Sequence, residues 1–393
     1  MSQSPHATPG IGRVVLWGTC DTGKPRVRIL IEGLRAQGIE VLEIRADPWR
    51  GIEDKSQVKG ARRWLGLLAR IAIAYPKLAW AYLRAPAHDW VLLGYPAIPD
   101  IFVIRLLAWM RGARVAMDWF LSAYDTVVLD RRLFTPGHPL ARLVYAAEWL
   151  AVRLADAPFM DTAAHARRME GLFGLETGRC GHAWVGVEPE VFAARSTGRN
   201  AAARPAGAAT RVLFYGQFIP LHGIPTIIEA ARLLRDEPVE WRLVGRGQDA
   251  ERIRDMLAEQ PLPKLQWDDW IPYPELVDAI GEADICLGIF GSSDKAASVI
   301  PNKVFQVLAA GRPLITRDSP AMRELVGNDP PCTRLVPAAD PSALADAVLQ
   351  ARLDHAGPDL PCHRHLRATI TPGAVAAQLI EMIAAKAGKD VRP

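Results

Sequence analysis

Residues 211–225 read RVLFYGQFIPLHGIP, and the fold turns on how that stretch is read. Arg211–Tyr215 is a short apolar run of strand length, and Gly216 ends it. A loop carries the chain to Gly223, and Pro225 suits the first turn of a helix. The succession restarts at Trp241–Val244, Asp284–Phe290 and Pro313–Thr316, each run followed by a helical stretch. Strand alternating with helix calls for a parallel sheet covered on both faces.

The same rhythm runs upstream. Arg13–Trp17, Glu40–Ile44, Asp89–Leu93, Arg114–Asp118 and a run near His182–Gly186 read as strands, with Pro25–Gln37 as the first helix. Between the two series, Ser196–Thr210 (STGRNAAARPAGAAT) has low complexity and no apolar period, as a linker does. The expectation is an α/β chain of two Rossmann-like parallel-sheet domains facing a cleft. Residues 1–195 form the N-terminal one, 196–210 the linker and 211–371 the C-terminal one. Residues 372–393 then supply a last helix, Pro372–Lys386, with Thr371 as cap and Val375, Leu379, Met382 and Ile383 as its apolar stripe. A crossing of that helix back to the N-terminal domain is expected.

Bulk properties narrow the class. At roughly 150 residues per domain, 393 residues imply two or three domains. A net charge of +4 is too slight for a dedicated nucleic-acid binder, so no nucleic-acid partner is expected. Cys20, Cys180, Cys286, Cys332 and Cys362 are scattered and never spaced C-x-x-C. That spacing argues against a disulfide framework and structural zinc and favours a reducing, cytoplasmic setting. Residues 1–10 lack a signal-peptide pattern, and no run reaches the roughly 18 apolar residues of a membrane span.

In open α/β sheets ligands gather at the carboxyl ends of strands, where helix N-termini offer free N–H groups. Three loops of the second half stand there. Gly216 and Gly223 bracket the first, with Gln217 and His222 between them. Gly245-Arg246-Gly247 is the second, and a plain tight turn accounts for it equally well. The third runs from Gly288 through Ser298 to Ile300-Pro301-Asn302-Lys303, which opens a helix ending near Gly311. Pro301 at its first turn, the helix dipole and Lys303 suit a diphosphate, and Gln306 one turn on suits a ribose hydroxyl.

Taken together, these blocks resemble the donor-binding domain of glycosyltransferase family 4, the "group 1" transferases. The resemblance is carried by Gly216 to Gly223, Val244-Gly245-x-Gly247, Ala283-Asp284, Pro301-Asn302-Lys303-Val304-Phe305 and Leu308-Ala309-Ala310-Gly311-Arg312-Pro313-Leu314-Ile315. It implies a GT-B fold, a nucleoside-diphosphate sugar donor (UDP- or GDP-sugar), retention at the anomeric carbon, and no metal or other cofactor. By the same resemblance the first loop and Lys303 meet the diphosphate and the second loop the nucleobase. The family's usual cations are replaced by Gln217 and His222, and its paired glutamates by Ser298 and Gln306.

The N-terminal half resembles the same branch less tightly. Gly18, Lys24 and Arg26 sit on its first strand-to-helix loop, where acceptor or donor phosphate is expected, and Tyr95 follows another strand. Asp118 ends a strand and is expected to orient an acceptor hydroxyl, with Asp125 as second choice. Arg62–Arg84 and Ile101–Arg111 mix basic and aromatic residues, as a helix lying on an anionic inner membrane face does. The expected activity is therefore transfer of a hexose to a glycan or lipid-linked acceptor. Two alternatives stay open: a nucleotide-sugar epimerase on the same fold, and a non-catalytic sugar-nucleotide-binding subunit.

Overall fold

The computed structural model describes residues 11–21, 25–48, 61–192, 208–328, 330–354 and 362–389. Most of the linker stretch and Lys24 lie outside them. The chain divides into two compact units: one runs to Gly186 and resumes at Pro372, and the other is Val187–Thr371.

In the first unit β1 (Arg13–Gly18), β2 (Glu40–Arg45), β3 (Trp90–Leu93), β4 (Arg114–Asp118), β5 (Ala157–Met160) and β6 (Gly181–His182) make one sheet. Its order is β2-β1-β3-β4-β5-β6, and every pairing is parallel. Successive strand residues point to opposite faces, and here both faces are apolar. Val15, Trp17, Val91, Leu93, Val115 and Met117 pack against α2 (Ala61–Leu83), α3 (Ile98–Met110), α4 (Pro139–Leu154) and α5 (Ala163–Phe173). Val14, Leu16, Trp90 and Leu92 face α1 (Pro25–Ala36) and the C-terminal helix Pro372–Lys389 instead. That helix buries Val375, Leu379 and Ile383 in this core, so the chain returns to the first unit after the 185 residues of Val187–Thr371. Each such side chain contributes about 1.5–3 kcal/mol by leaving water.

The second unit repeats the plan with β7 (Thr210–Tyr215), β8 (Val239–Val244), β9 (Leu265–Asp268), β10 (Ile285–Leu287), β11 (Leu314–Arg317) and β12 (Thr333–Val336). The order is β12-β11-β10-β7-β8-β9, again all parallel. Its helices are α6 (Ile224–Leu233), α7 (Ala250–Glu259), α8 (Tyr273–Glu282), α9 (Asp294–Ser298), α10 (Asn302–Ala310), α11 (Pro320–Val326), α12 (Pro341–Asp354) and α13 (Arg364–Arg367). The α/β reading with two Rossmann-like parallel sheets therefore holds.

One expectation is corrected. Cys332 and Cys362 form a disulfide with Cα atoms 5.6 Å apart, although they are 30 residues apart in sequence. From Cys362 the described chain lies against the C-terminus of α10, where His363 Nε2 is 2.9 Å from the Arg312 carbonyl oxygen. Spacing along the sequence does not register that return. Cys20, Cys180 and Cys286 are free and buried.

Candidate functional site

At the carboxyl edge of the second sheet, three loops are stitched to one another. The loop after β7 bonds to the loop after β8: Phe218 N–H donates to Arg246 O (3.0 Å) and Asp249 N–H to Phe218 O (2.9 Å). It also bonds to the loop after β10, through Phe290 N–H to His222 O (3.0 Å) and Gly291 N–H to Leu221 O (3.2 Å). Glycine is needed where these loops cross. Gly245 has φ +153°, and a Cβ there would stand 1.8 Å from Gly216 O, a distance backbone does not tolerate. Gly216 has φ +139°, and a Cβ there would stand 3.0 Å from the Lys303 ammonium and 3.1 Å from the His222 ring.

Lys303 lies in the first turn of α10 and is buried. Its Nζ sits 3.7 Å from the centre of the Phe214 ring and 3.5 Å from Gly288 O. No carboxylate forms an ion pair with it among the described residues, and burial pushes its pKa well below the ordinary lysine value. An ammonium held this way is short of negative charge. The helix it opens is short of partners too: Pro301 takes the N-cap position in extended backbone (ψ 149°), and no side chain caps the terminus. The expected first-turn position of Pro301 is thus shifted by one residue.

His222 is buried, and its Nδ1 contacts the carbonyl of Gln217. A carbonyl only accepts, so Nδ1 carries the proton. Burial first, then the nearby Lys303 charge, hold its pKa well below the usual histidine range, so the ring is neutral at pH 7. The Gln217 side chain itself is exposed. Gln306 is half-buried, and its Oε1 accepts from the Tyr215 hydroxyl at 2.9 Å. Ser298 is buried and donates to Lys295 O (3.0 Å), while Ile300 belongs to the buried set and Asn302 is half-buried. Gly247 backs onto the Phe218 backbone, and Arg246 is exposed.

Sequence reading missed two residues here. Arg317, at the end of β11, is buried and donates to the carbonyls of Gly291 and Ser293 (3.2 Å for the latter), which pins the third loop. Trp267 on β9 stacks on Phe218 (5.0 Å between centroids) and donates to Gly245 O at 2.8 Å, which fixes the second. An arginine ending an otherwise apolar strand was the available signal for the first.

The first unit is arranged differently. Arg26 and Asp118, expected as separate groups beside a substrate, form one buried pair, with Nε 2.7 and 2.9 Å from the two carboxylate oxygens. Arg26 also donates to Ala183 O (3.0 Å) and Met160 O (3.3 Å). Asp125 is buried as well and accepts from Arg168 at 2.6 Å. Neither carboxylate reaches solvent, and both hold guanidinium groups. Gly18 ends β1, and the next residue, Thr19, donates through N–H and hydroxyl to buried Asp100 (2.6 and 2.8 Å). Tyr95 is half-buried, edge-on to Phe120 at 5.5 Å. Glu148, which drew no attention in the sequence, accepts from Trp119 Nε1, Ser122 Oγ and the N–H groups of Ala123 and Tyr124 at 2.8–2.9 Å. It shapes the loop after β4.

A groove of about 420 Å³ lies at the opposite, amino end of β7–β9. Its cations are engaged: Arg242 with Asp268 (2.9 Å), and Lys264 with the carbonyls of Arg235 and Glu237 (3.0 and 2.7 Å). The chemistry therefore points to the glycine-loop edge.

Two Rossmann-like parallel-sheet units, the second edged by interlocked glycine loops, define a chain of the GT-B fold. Residues 209–354 match the family model described as Glycosyl transferases group 1. Among curated proteins, the putative colanic acid biosynthesis glycosyl transferase WcaI of Escherichia coli is 30% identical over 100 residues, 25% of this chain. The match spans about a quarter (24%) of that relative's length. Among solved structures, a sucrose-phosphate synthase from Thermosynechococcus elongatus superposes with TM-score 0.66 at 16% identity, over 96% of this chain and all of that one. A UDP-forming α,α-trehalose-phosphate synthase from Burkholderia vietnamiensis gives 0.65 at 13% identity, covering 98% and 100%. Anabaena HepE, solved in complex with UDP and glucose, gives 0.61 at 12% identity, covering 96% and 100%.

Proposed function

We propose that the protein is a retaining glycosyltransferase that takes a hexose from a UDP- or GDP-sugar and passes it to a glycan or lipid-linked acceptor. The observation that carries this reading is the buried, counter-ion-free Lys303 beneath Gly216, beside the uncapped N-terminus of α10. A diphosphate seated over Gly216 supplies the missing negative charge and accepts from the first-turn N–H groups of α10. Both interactions strengthen as the sugar–phosphate bond breaks and charge collects on the leaving oxygen. Leaving-group stabilisation of this kind lowers the barrier without a protein nucleophile. The similar HepE and the E. coli trehalose-6-phosphate enzyme were solved with UDP and UDP-2-fluoro glucose, which supports a uridine donor.

Gln306 is assigned to the ribose, and the loop carrying Gly245, Arg246 and Gly247 to the base. On the acceptor side Gly18 and Tyr95 remain, whereas Arg26, Asp118 and Asp125 act as supports of the first unit. A second reading, a sugar-nucleotide-binding subunit without turnover, draws on the neutral His222 and on the Ser298 hydroxyl being turned to Lys295 O.

The test is a thermal-shift screen against UDP, GDP, ADP and their sugar conjugates, followed by product analysis with the one that binds. A ligand at a hundred times its dissociation constant adds about 2.7 kcal/mol of stability. Stabilisation by one nucleotide, lost in Lys303→Met, is expected. No response to any of them sinks the donor site; a response without sugar release or transfer selects the second reading.

A further inference from the structure

Helices α2, α3 and α4 lie side by side over one face of the first sheet, and their outer surface is unusual in two respects. The first is its apolar content. On α2, Leu65, Ile73, Trp80 and Leu83 project away from the buried Leu67, Leu78 and Tyr82, with Ile73 63% exposed. On α3, Phe102, Leu106, Trp109 and Met110 do the same, Trp109 being 71% exposed. On α4, Leu140, Leu143 and Leu150 continue the surface. Scattered exposed leucines need no explanation, but one apolar surface shared by three adjacent helices marks a binding face.

The second respect is the sign of its charge. The only acidic residues in the three helices are Asp100 and Glu148, and both are buried under internal hydrogen-bond donors. Arg70, Lys77 and Arg142 are exposed. Two more arginines lie flat on exposed indoles: Arg84 over Trp80 at 3.7 Å and Arg153 over Trp149 at 3.8 Å. An aromatic ring carrying a cation suits the boundary between acyl chains and headgroups, where the ring is half-immersed and the charge stays wet.

We infer that the α2–α3–α4 surface docks on an anionic phospholipid bilayer. Charge complementarity chooses this occupant over a second copy of the chain, because a two-fold contact through one face sets its arginines and lysines against themselves. No described helix is long and apolar enough to cross a membrane, so the contact is of the surface kind. The inference rests on this surface alone and is independent of the donor chemistry proposed above.

The experiment is flotation of the full chain with vesicles of phosphatidylcholine, either alone or with roughly 30% phosphatidylglycerol. Wild type is expected to float with the anionic vesicles at least about tenfold more than with the neutral ones, and to be released by salt. Replacing exposed Leu106 and Trp109 together by glutamate (Leu106→Glu, Trp109→Glu) is expected to cut binding about tenfold or more, with circular dichroism unchanged. Lys77→Glu, which leaves the apolar surface intact, should lower only the anionic component. Failure of wild type to float, equal binding to both vesicles, or a glutamate variant that floats like wild type overturns the inference. So does a dimer in sedimentation that the same variant splits while vesicles capture nothing, since the face then belongs to a second copy.

Discussion

The two units share a sheet plan but handle buried charge in opposite ways. In the first, buried charges find partners inside the protein: Arg26 with Asp118, Asp125 with Arg168, Asp161 with His165 at 2.6 Å, and Glu148 with four donors. In the second, buried Lys303 meets only a carbonyl oxygen and an aromatic face, while Arg317, near Asp294 and Asp318, donates to loop carbonyls. A charge taken out of water without an opposite charge costs several kcal/mol, and folding alone does not select for it. The first unit gives each of these acids donors of its own, whereas Lys303 in the second has no carboxylate against it among the described residues. The donor site proposed for this protein rests on that difference more than on any single motif.

The largest effect that tests this contrast comes from the first unit. Asp118→Ala leaves the Arg26 guanidinium buried and uncompensated, and is expected to cost about 3–5 kcal/mol of stability. Urea unfolding measures it. Sugar transfer surviving in the folded fraction then shows Asp118 to be a support; loss of transfer at unchanged stability and unchanged nucleotide response reverses the assignment. Next is Lys303→Met, whose two effects have opposite sign. Removing an unpaired buried ammonium should leave the ligand-free midpoint equal or higher, while nucleotide affinity falls about 10- to 100-fold, the value of a charge-assisted hydrogen bond. A variant that is destabilised yet binds normally breaks the comparison.

Much of the fold was legible because parallel strands buried on both faces are mostly apolar runs, and RVLFY, WRLV and RVAMD read that way despite a charge in each. The three strands that escaped had physical reasons to. Ala157–Met160 contains Pro158, which lies just outside the short pairing with β6 that begins at Phe159 and Gly181. Leu265–Asp268 and Thr333–Val336 are sheet edges, with one side open and polar residues at half their positions. The glycine loops of the candidate site were legible from glycine spacing, because crossing backbones exclude every other residue. Pairing was not: Arg26 and Asp118 are 92 positions apart, and Glu148 answers groups 24 to 29 residues away. Sequence could place an acid at a strand end without showing that an arginine already held it.

A pH profile sharpens the contrast at smaller scale. Burial lifts Asp100 from 3.8 to about 7, against the opposing donors Thr19 and Tyr75. The native state therefore keeps a proton that the unfolded chain releases. This contribution is fully present below pH 3.8 and is lost as pH rises toward about 7. Asp100→Asn, which fills the same space, is expected to remove that slope in urea midpoints. His222 runs the other way: its lowered pKa makes the native state shed a proton, so its contribution is present above the usual 6.5 and is lost on acidification. A profile for His222→Phe that matches wild type would show the ring titrating in the folded protein as it does in the unfolded chain, against the burial and Lys303 charge assigned to it.

The smallest expected effect concerns ribose. The Tyr215 hydroxyl donates to Gln306 Oε1 at 2.9 Å and lies 3.2 Å from Lys303 O, so Gln306→Ala leaves it a partner and should cost about 1 kcal/mol of stability or less. That tether aims the amide from the second turn of α10 beside the uncapped terminus. A ribose hydroxyl bonded there is worth about 0.5–1.5 kcal/mol, or roughly three- to tenfold in affinity. The discriminating measurement is the ratio of affinities for a ribonucleotide and its 2′-deoxy analogue. Wild type should favour the ribonucleotide, and Gln306→Ala should bind the two alike. If both proteins show the same ratio, Gln306 does no more than hold Tyr215, and ribose recognition belongs to another residue on the same edge.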